Sequence, residues 1–194
     1  MHPKDEKERL RTAIAERLKR LTETDRAAES RSTCRRLLQR LPKEPVAVCA
    51  YYPLKSEIDL KPLMLRLLED KYPLYLPRFE GGRMVFRRVT DLAKDMQNSA
   101  YGIPEPGDAC PLLDPATLDI ALIPARAYAP DGRRMGRGNG GYDIWIRAQR
   151  AINPKTLFWG VCFESQVVPD IPMEAHDEKV DLVFTQRGAS DVVS

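Results

Sequence analysis

Val46-Ala-Val-Cys-Ala-Tyr-Tyr52 is an almost unbroken apolar run that ends at Pro53. A strand buried on both faces has this composition, and such strands belong to parallel sheets. Downstream, Asp59 can cap a helix over about Leu60 to Lys71, with Pro62 tolerated in its first turn. Leu74-Tyr-Leu-Pro-Arg78 follows as a second short strand, completing a βαβ unit. Upstream, Leu10, Ile14, Leu18 and Leu21 share one face of a helix spanning Lys4 to Leu21. Thr22-Glu-Thr-Asp25 breaks it, and a second helix runs from about Arg26 to Leu41, where Pro42 and Pro45 stop it.

Further along, Gly81-Gly82 turns the chain into Arg83 to Val89, whose alternation predicts a half-exposed strand hairpin-paired with its predecessor. A loop rich in Gly and Pro covers Asn98 to Pro115. Strands are predicted at Asp119 to Pro124, Leu157 to Phe163 and Val180 to Thr185, with a helix over Tyr142 to Ile152. Helices alternate with strands and no internal repeat divides them. The fold class is α/β, one domain over residues 1–194 with a mainly parallel central sheet flanked by helices.

Composition excludes several functions. With 194 residues, 43% apolar and 30% charged, the chain can fill one core, and its longest apolar runs fall far short of a membrane span. The first residues never develop the apolar core of a signal peptide, so a cytoplasmic location is expected, with no membrane partner. Four cysteines, Cys34, Cys49, Cys110 and Cys162, show no C-x-x-C spacing, and only His2 and His176 supply imidazoles. Zinc sites, disulfide frameworks and Ser-His or Cys-His nucleophiles are therefore disfavoured. The net charge of +3 is unevenly spread: residues 1–40 hold 12 Lys and Arg against 7 Asp and Glu, or +5, and the remainder holds −2. The basic segment could meet a phosphate ligand, a polyanion or water.

The densest chemical signal is Asp131-Gly-Arg-Arg-Met-Gly-Arg-Gly-Asn-Gly-Gly-Tyr-Asp143. Gly136, Gly138 and Gly141 satisfy G-x-G-x-x-G literally, and Glu164 lies near the distance of a ribose-binding acid. The context fails, because a Pro-Asp-Gly turn and two arginines separate the preceding strand from the glycines. The P-loop template fails as well, since no Lys-Ser or Lys-Thr closes the run. What remains is a loop whose glycines let backbone N–H groups approach an anion at a helix N-terminus. Arg134 and Arg137 add forked donors suited to phosphate oxygens. Asp143, just inside the helix, and Asp181, at the start of the last strand, are hard oxygen ligands suited to magnesium.

Arg134-Met-Gly-Arg-Gly-Asn-Gly-Gly-Tyr-Asp143 resembles the R-L-G-x-G-x-G-Y-Y-D signature of the 5-formyltetrahydrofolate cyclo-ligases, or methenyltetrahydrofolate synthetases. Lys7-Glu-Arg-Leu-Arg11, Pro53 to Asp59, Tyr75-Leu-Pro-Arg78, Gly102-Ile-Pro-Glu-Pro106 and His176 to Asp181 extend the likeness over most of the chain. The resemblance implies ATP-dependent conversion of 5-formyltetrahydrofolate to 5,10-methenyltetrahydrofolate through a phosphorylated formyl (imidate) intermediate. No nucleophilic side chain is needed, which suits a chain with so few histidines. By resemblance, ATP would be bound by Lys7, Arg11, Arg134, Met135, Gly136, Arg137, Gly138, Asn139, Gly140, Gly141 and Tyr142, with Arg134 and Arg137 catalytic. Leu54, Glu57 and Tyr101 would receive the folate, and Asp143 and Asp181 would hold Mg2+. A monomer acting on ATP and a reduced formylfolate is expected.

Three residues depart from the family pattern. Gly141 stands where an aromatic usually precedes the Tyr-Asp pair, Arg126 where a short apolar residue is usual, and Tyr128 where Phe is common. Two other functions remain open at this point: a phosphate-ligand enzyme of related α/β fold, such as an isomerase or CoA transferase, and a nucleic-acid-binding module on the basic helices. Interleaved Glu and the lack of stacking aromatics in residues 1–40 argue against nucleic acid.

Overall fold

The computed structural model describes residues 3–99 and 102–191. Two helices come first, α1 (Pro3–Lys19) and α2 (Glu23–Arg40). Then follow β1 (Val48–Cys49), α3 (Lys61–Glu69), β2 (Leu74–Glu80), β3 (Arg83–Val89), β4 (Met96–Asn98), β5 (Pro104–Pro106) and β6 (Ile120–Pro124). The chain closes with β7 (Ala127–Tyr128), β8 (Arg134–Met135), α4 (Gly141–Ile152), β9 (Leu157–Val161), β10 (Leu182–Thr185) and β11 (Gly188–Asp191).

Seven strands form the central sheet in the order β11-β10-β9-β6-β1-β2-β3. The five inner strands are parallel, and β3 and β11 close the two edges as antiparallel hairpin partners. Counting only the parallel strands in chain order, the sequence across the sheet is 2-1-3-4-5. Connections leave β1 and β6 in opposite directions, so a crevice opens between their carboxyl ends. That crevice positions everything described below.

Successive residues of the central strands alternate between two cores, as strand geometry requires. Val48 and Leu122 pack with Ile14 and Leu18 of α1, Leu37 of α2, and Leu63 and Leu67 of α3. Cys49, Ala121 and Ile123 pack on the other side with Ile146 of α4, Phe86 and Phe158. Trp145 holds α4 down by contacting the Phe86 ring at 4.3 Å and the Phe158 ring edge-on at 6.0 Å.

Most predicted elements stand where the periodicity placed them, with boundary differences that have local causes. The second helix starts earlier than predicted because Thr22 caps it: its hydroxyl accepts from the Asp25 amide at 3.1 Å while Asp25 accepts from the Thr22 amide at 3.2 Å. The apolar Val46 to Tyr52 run pairs in regular register only at Val48 and Cys49. Asp59 accepts from the Lys61 amide at 3.0 Å, one residue ahead of the capping position at Leu60. The paired β4 and β5, the β7–β8 hairpin and β11 were not predicted, since strands of two to four residues carry too few alternations to read.

Close packing is tightest at Gly160 in β9. A Cβ there would lie 2.4 Å from Cε1 of Tyr128, a fully buried ring whose hydroxyl donates to the Ile123 carbonyl at 2.5 Å. Gly160→Ala is therefore expected to lower unfolding free energy by about 2 kcal/mol through overpacking. Urea denaturation measures this, and an unchanged midpoint would show that the Tyr128 ring moves freely.

Candidate active site

The crevice between β1 and β6 widens into a cleft of about 820 Å³, within the usual size range for small-molecule sites. Tyr51, Tyr52, Leu54 and Glu57 enter it from the segment after β1, and Pro124 and Ala125 from the end of β6. The β2–β3 hairpin adds Arg78, Phe79 and Met84; α1 adds Lys7 and Arg11. The whole stretch from Arg134 to Asp143 lines the cleft, as do Glu174, His176 and Asp177.

The loop's glycines have distinct uses. Gly138 and Gly140 adopt φ of 103° and 66°, left-handed values that other residues strain to reach, and Gly140 is the N-cap of α4. The helix thus begins at the cleft wall, where the positive end of its dipole suits an anion. Gly141 has no such backbone requirement. A Cβ there would meet Cζ of Phe79 at 3.7 Å, an ordinary contact, so an aromatic ring adjoins position 141 from the β2–β3 hairpin.

The charged groups are held by one another. Arg134 is 3% exposed and donates from Nη2 to Oδ1 of Asp143 at 2.5 Å, and the Glu178 amide donates to the same oxygen at 2.9 Å. Nε of Arg134 is buried without a hydrogen-bond partner among the described residues. Arg137 reaches across the cleft to Oε1 of Glu57 at 3.0 Å and Oγ of Ser56 at 3.2 Å. Oε2 of Glu57 accepts from the Leu54 amide at 3.0 Å. Arg11 donates to the Gly136 carbonyl at 3.4 Å and to Glu8 at 3.0 Å.

Lys7 is 6% exposed, and its ammonium lies 2.7 Å from Glu174 and 2.6 Å from Asp177. Burial alone would lower its pKa, but hydrogen bonds to Asp177 and Glu174 raise it on balance. Asp177 is pushed up by burial and pulled further down by Lys7 and the Glu174 amide; Glu174 is held low by Lys7. This knot ties α1 to the segment ahead of β10.

The structure thus gathers Lys7, Arg11, Leu54, Glu57 and the Arg134 to Asp143 loop into one cleft. Tyr101 lies outside the described residues. The two carboxylates expected to share magnesium are not brought together. Asp181 accepts from the Phe158 amide at 2.6 Å and from Arg150 at 3.4 Å, at the amino ends of β9 and β10. Arg150 stands about two turns along α4 from Asp143, or roughly 10 Å at 1.5 Å per residue. Asp177 does line the cleft with Asp143, within a group of Glu174, His176 and Asp177 whose ligand atoms lie within 4.8 Å of one another. Asp177 and Phe79 were missed by sequence reading. A signal existed for the first: a residue opening a parallel strand sits at the edge away from the ligand crevice, which disfavours Asp181.

A crevice at the reversal of a parallel sheet is where α/β enzymes bind their ligands, and a glycine loop, a helix N-terminus and arginines in its wall suit an anionic one. The model of the 5-formyltetrahydrofolate cyclo-ligase family matches residues 3–186, and the chain belongs to that family. It is 23% identical over 186 residues to the 5-formyltetrahydrofolate cyclo-ligase of Mus musculus, covering 90% of this chain and 91% of the mouse protein. An NMR structure of Aquifex aeolicus 5,10-methenyltetrahydrofolate synthetase superposes with a TM-score of 0.83 at 30% identity, over 97% of this chain and 93% of that one. A 5,10-methenyltetrahydrofolate synthetase from Mycoplasma pneumoniae shares the fold at 18% identity and TM-score 0.73, over 93% of this chain and 98% of that one.

The Lys7 knot has a defined pH response. Carboxylates whose pKa is depressed on folding stabilise the fold above their unfolded values, and that contribution fades as pH falls through the folded ones. The unfolded reference values are 3.8 for Asp177 and 4.5 for Glu174. Lys7→Met is expected to cost about 2 kcal/mol near neutrality, and the difference from wild type should shrink only below about pH 4. Denaturant titrations at several pH values check this; a gap that persists at pH 2 would make the loss one of packing.

Proposed function

We propose that this chain converts 5-formyltetrahydrofolate to 5,10-methenyltetrahydrofolate with consumption of ATP and release of ADP and phosphate. The observation that carries the reading is the meeting of two subsites in one cleft. A glycine loop set among Lys7, Arg11, Arg134 and Arg137 suits a triphosphate, and Glu57, held by the Leu54 amide at the loop's edge, suits the paired N–H donors of a pterin.

In this reading, substrate atoms make both attacks. The formyl oxygen takes the γ-phosphoryl group from ATP and ADP leaves. The folate N10 then adds to the imidate carbon, the carbon–oxygen bond to phosphate breaks, and the N10 proton passes to solvent. The protein's part is to hold the two substrates in line and to stabilise charge on the moving phosphoryl group. Arg137 occupies Glu57 at 3.0 Å in this structure; pterin N–H groups arriving at Glu57 would replace it and free its guanidinium for the phosphoryl oxygens. Phe79, beside Gly141, supplies an aromatic wall for the folate.

Magnesium, when bound with ATP, supplies divalent charge that offsets the triphosphate. The donor set fits such a hard cation: Asp143 uses only Oδ1 for its bonds to Arg134 and Glu178, and Asp177 faces the same cleft. Asp181, engaged by Phe158 and Arg150, is left out of that set. The four free, buried cysteines suit a reducing compartment.

The test is ADP release that requires 5-formyltetrahydrofolate, followed together with the absorbance of the methenyl product. Nucleotide binding without turnover on any formylated folate would end the ligase assignment. Arg137→Ala is expected to cut kcat by about 100-fold or more with little change in unfolding midpoint. Parallel loss of activity and stability would make Arg137 structural.

A further inference from the structure

We infer that Glu178 is a positioning residue that sets Asp143 and Asp177 for a divalent cation, a role that rests on the metal–ATP reading of the same cleft. The geometry begins on α4. Asp143, Arg147 and Arg150 stand at i, i+4 and i+7, so they share one face of that helix. Residues 175–179 are bonded to this face. The Arg147 guanidinium donates to the Ala175 carbonyl at 3.1 Å and to Oε1 of Glu178 at 2.9 Å. Arg150 donates to Oε2 of Glu178 at 2.8 Å and to the Lys179 carbonyl at 3.0 Å.

Glu178 is therefore engaged through both its side chain and its backbone. Each carboxylate oxygen takes one arginine, and the side chain is only 16% exposed, so these charge-assisted bonds hold better than an open surface pair would. Its amide donates to Oδ1 of Asp143 at 2.9 Å. Arg134 bonds that same oxygen, which leaves Oδ2 for a cation. Asp177 is the preceding residue in the chain, held by Lys7 of α1 at 2.6 Å. One residue thus links the two carboxylates, Asp143 through a hydrogen bond and Asp177 through the peptide bond.

A hard divalent cation with near-octahedral demands needs its oxygen ligands fixed relative to one another. Asp143 belongs to α4, whereas Asp177 lies in a stretch outside any helix or strand, so their separation depends on what ties that stretch to α4. The bonds from Arg147 and Arg150 to Glu178 supply that tie, and these three residues are not among those lining the cleft. Breaking the clamp is therefore expected to loosen the metal site while leaving the glycine loop and its arginines in place. Partners that orient metal ligands without touching the metal act in this way.

Binding of Mn2+ in the presence of ATP and without folate, followed by electron paramagnetic resonance, reads the site without turnover. Glu178→Ala is expected to weaken Mn2+ binding about tenfold and to change ATP affinity measured in EDTA by less than about twofold. Glu178→Gln, which keeps one acceptor for the arginines, should fall between Glu178→Ala and wild type. Unchanged Mn2+ affinity, or equal losses for Mn2+ and for ATP in EDTA, would overturn the assignment. If Glu178→Ala fails to fold, the double variant Arg147→Gln with Arg150→Gln breaks the same clamp from the helix side and is judged by the same ratios. A wild-type protein that binds Mn2+ beside ATP but fails to turn over formylfolate would refute the ligase reading while these ratios still judge Glu178. Wild-type protein that binds no Mn2+ beside ATP would refute the metal pair and the role of Glu178 with it.

Discussion

The position of β1 between β2 and β6 is the constraint from which the site follows. A parallel strand flanked on one side by its successor and on the other by the third parallel strand sends its neighbours' connections to opposite faces of the sheet. Only there do two loops separate enough to leave a crevice without a helix filling it. Glu57 and its neighbours descend from one side of this gap, and Ala125 from the other. The glycine loop reaches it because β7 and β8 fold back as a hairpin immediately after β6. Two residues of regular pairing in β1 suffice, since its neighbours on both sides supply the hydrogen bonds and Val48 and Cys49 anchor opposite cores.

Electrostatics then organises what topology has opened. Each Lys and Arg lining the cleft among the described residues is met by a carboxylate of the same chain, and several of those carboxylates belong to sequence-distant segments. Lys7 joins α1 to residues 174–177, Arg137 joins the loop to the segment after β1, and Arg134 joins β8 to α4. The cleft is thus internally neutralised in a way that an incoming polyanion and its cation would have to rearrange. Such pairs hold the walls in place while keeping charge available close to the ligand.

Much of this was legible in the sequence, for reasons that particular residues make plain. The apolar run at Val46 to Tyr52 and the Gly81-Gly82 turn carry strong local signals, and the helix α1 face of Leu10, Ile14 and Leu18 is read directly from spacing. The glycine and arginine loop stands out by composition, and the structure sets all of it in the cleft wall. Tertiary relations were less accessible. Asp177 and Asp181 sit four residues apart in one motif, and only the path of that segment along α4 distinguishes the one beside Asp143 from the one beside Arg150. Phe79 lies 62 residues ahead of Gly141, so its pairing with Gly141 has no local trace.

That pairing has a wider consequence. Position 79 on a strand and position 141 at a helix start share one small volume, and an aromatic wall there can be furnished from either side. A side chain larger than hydrogen at position 141 would meet the Phe79 ring, so the two positions answer to each other in size. A change in ring size at one of them is therefore free to drift only as far as the other can accommodate it.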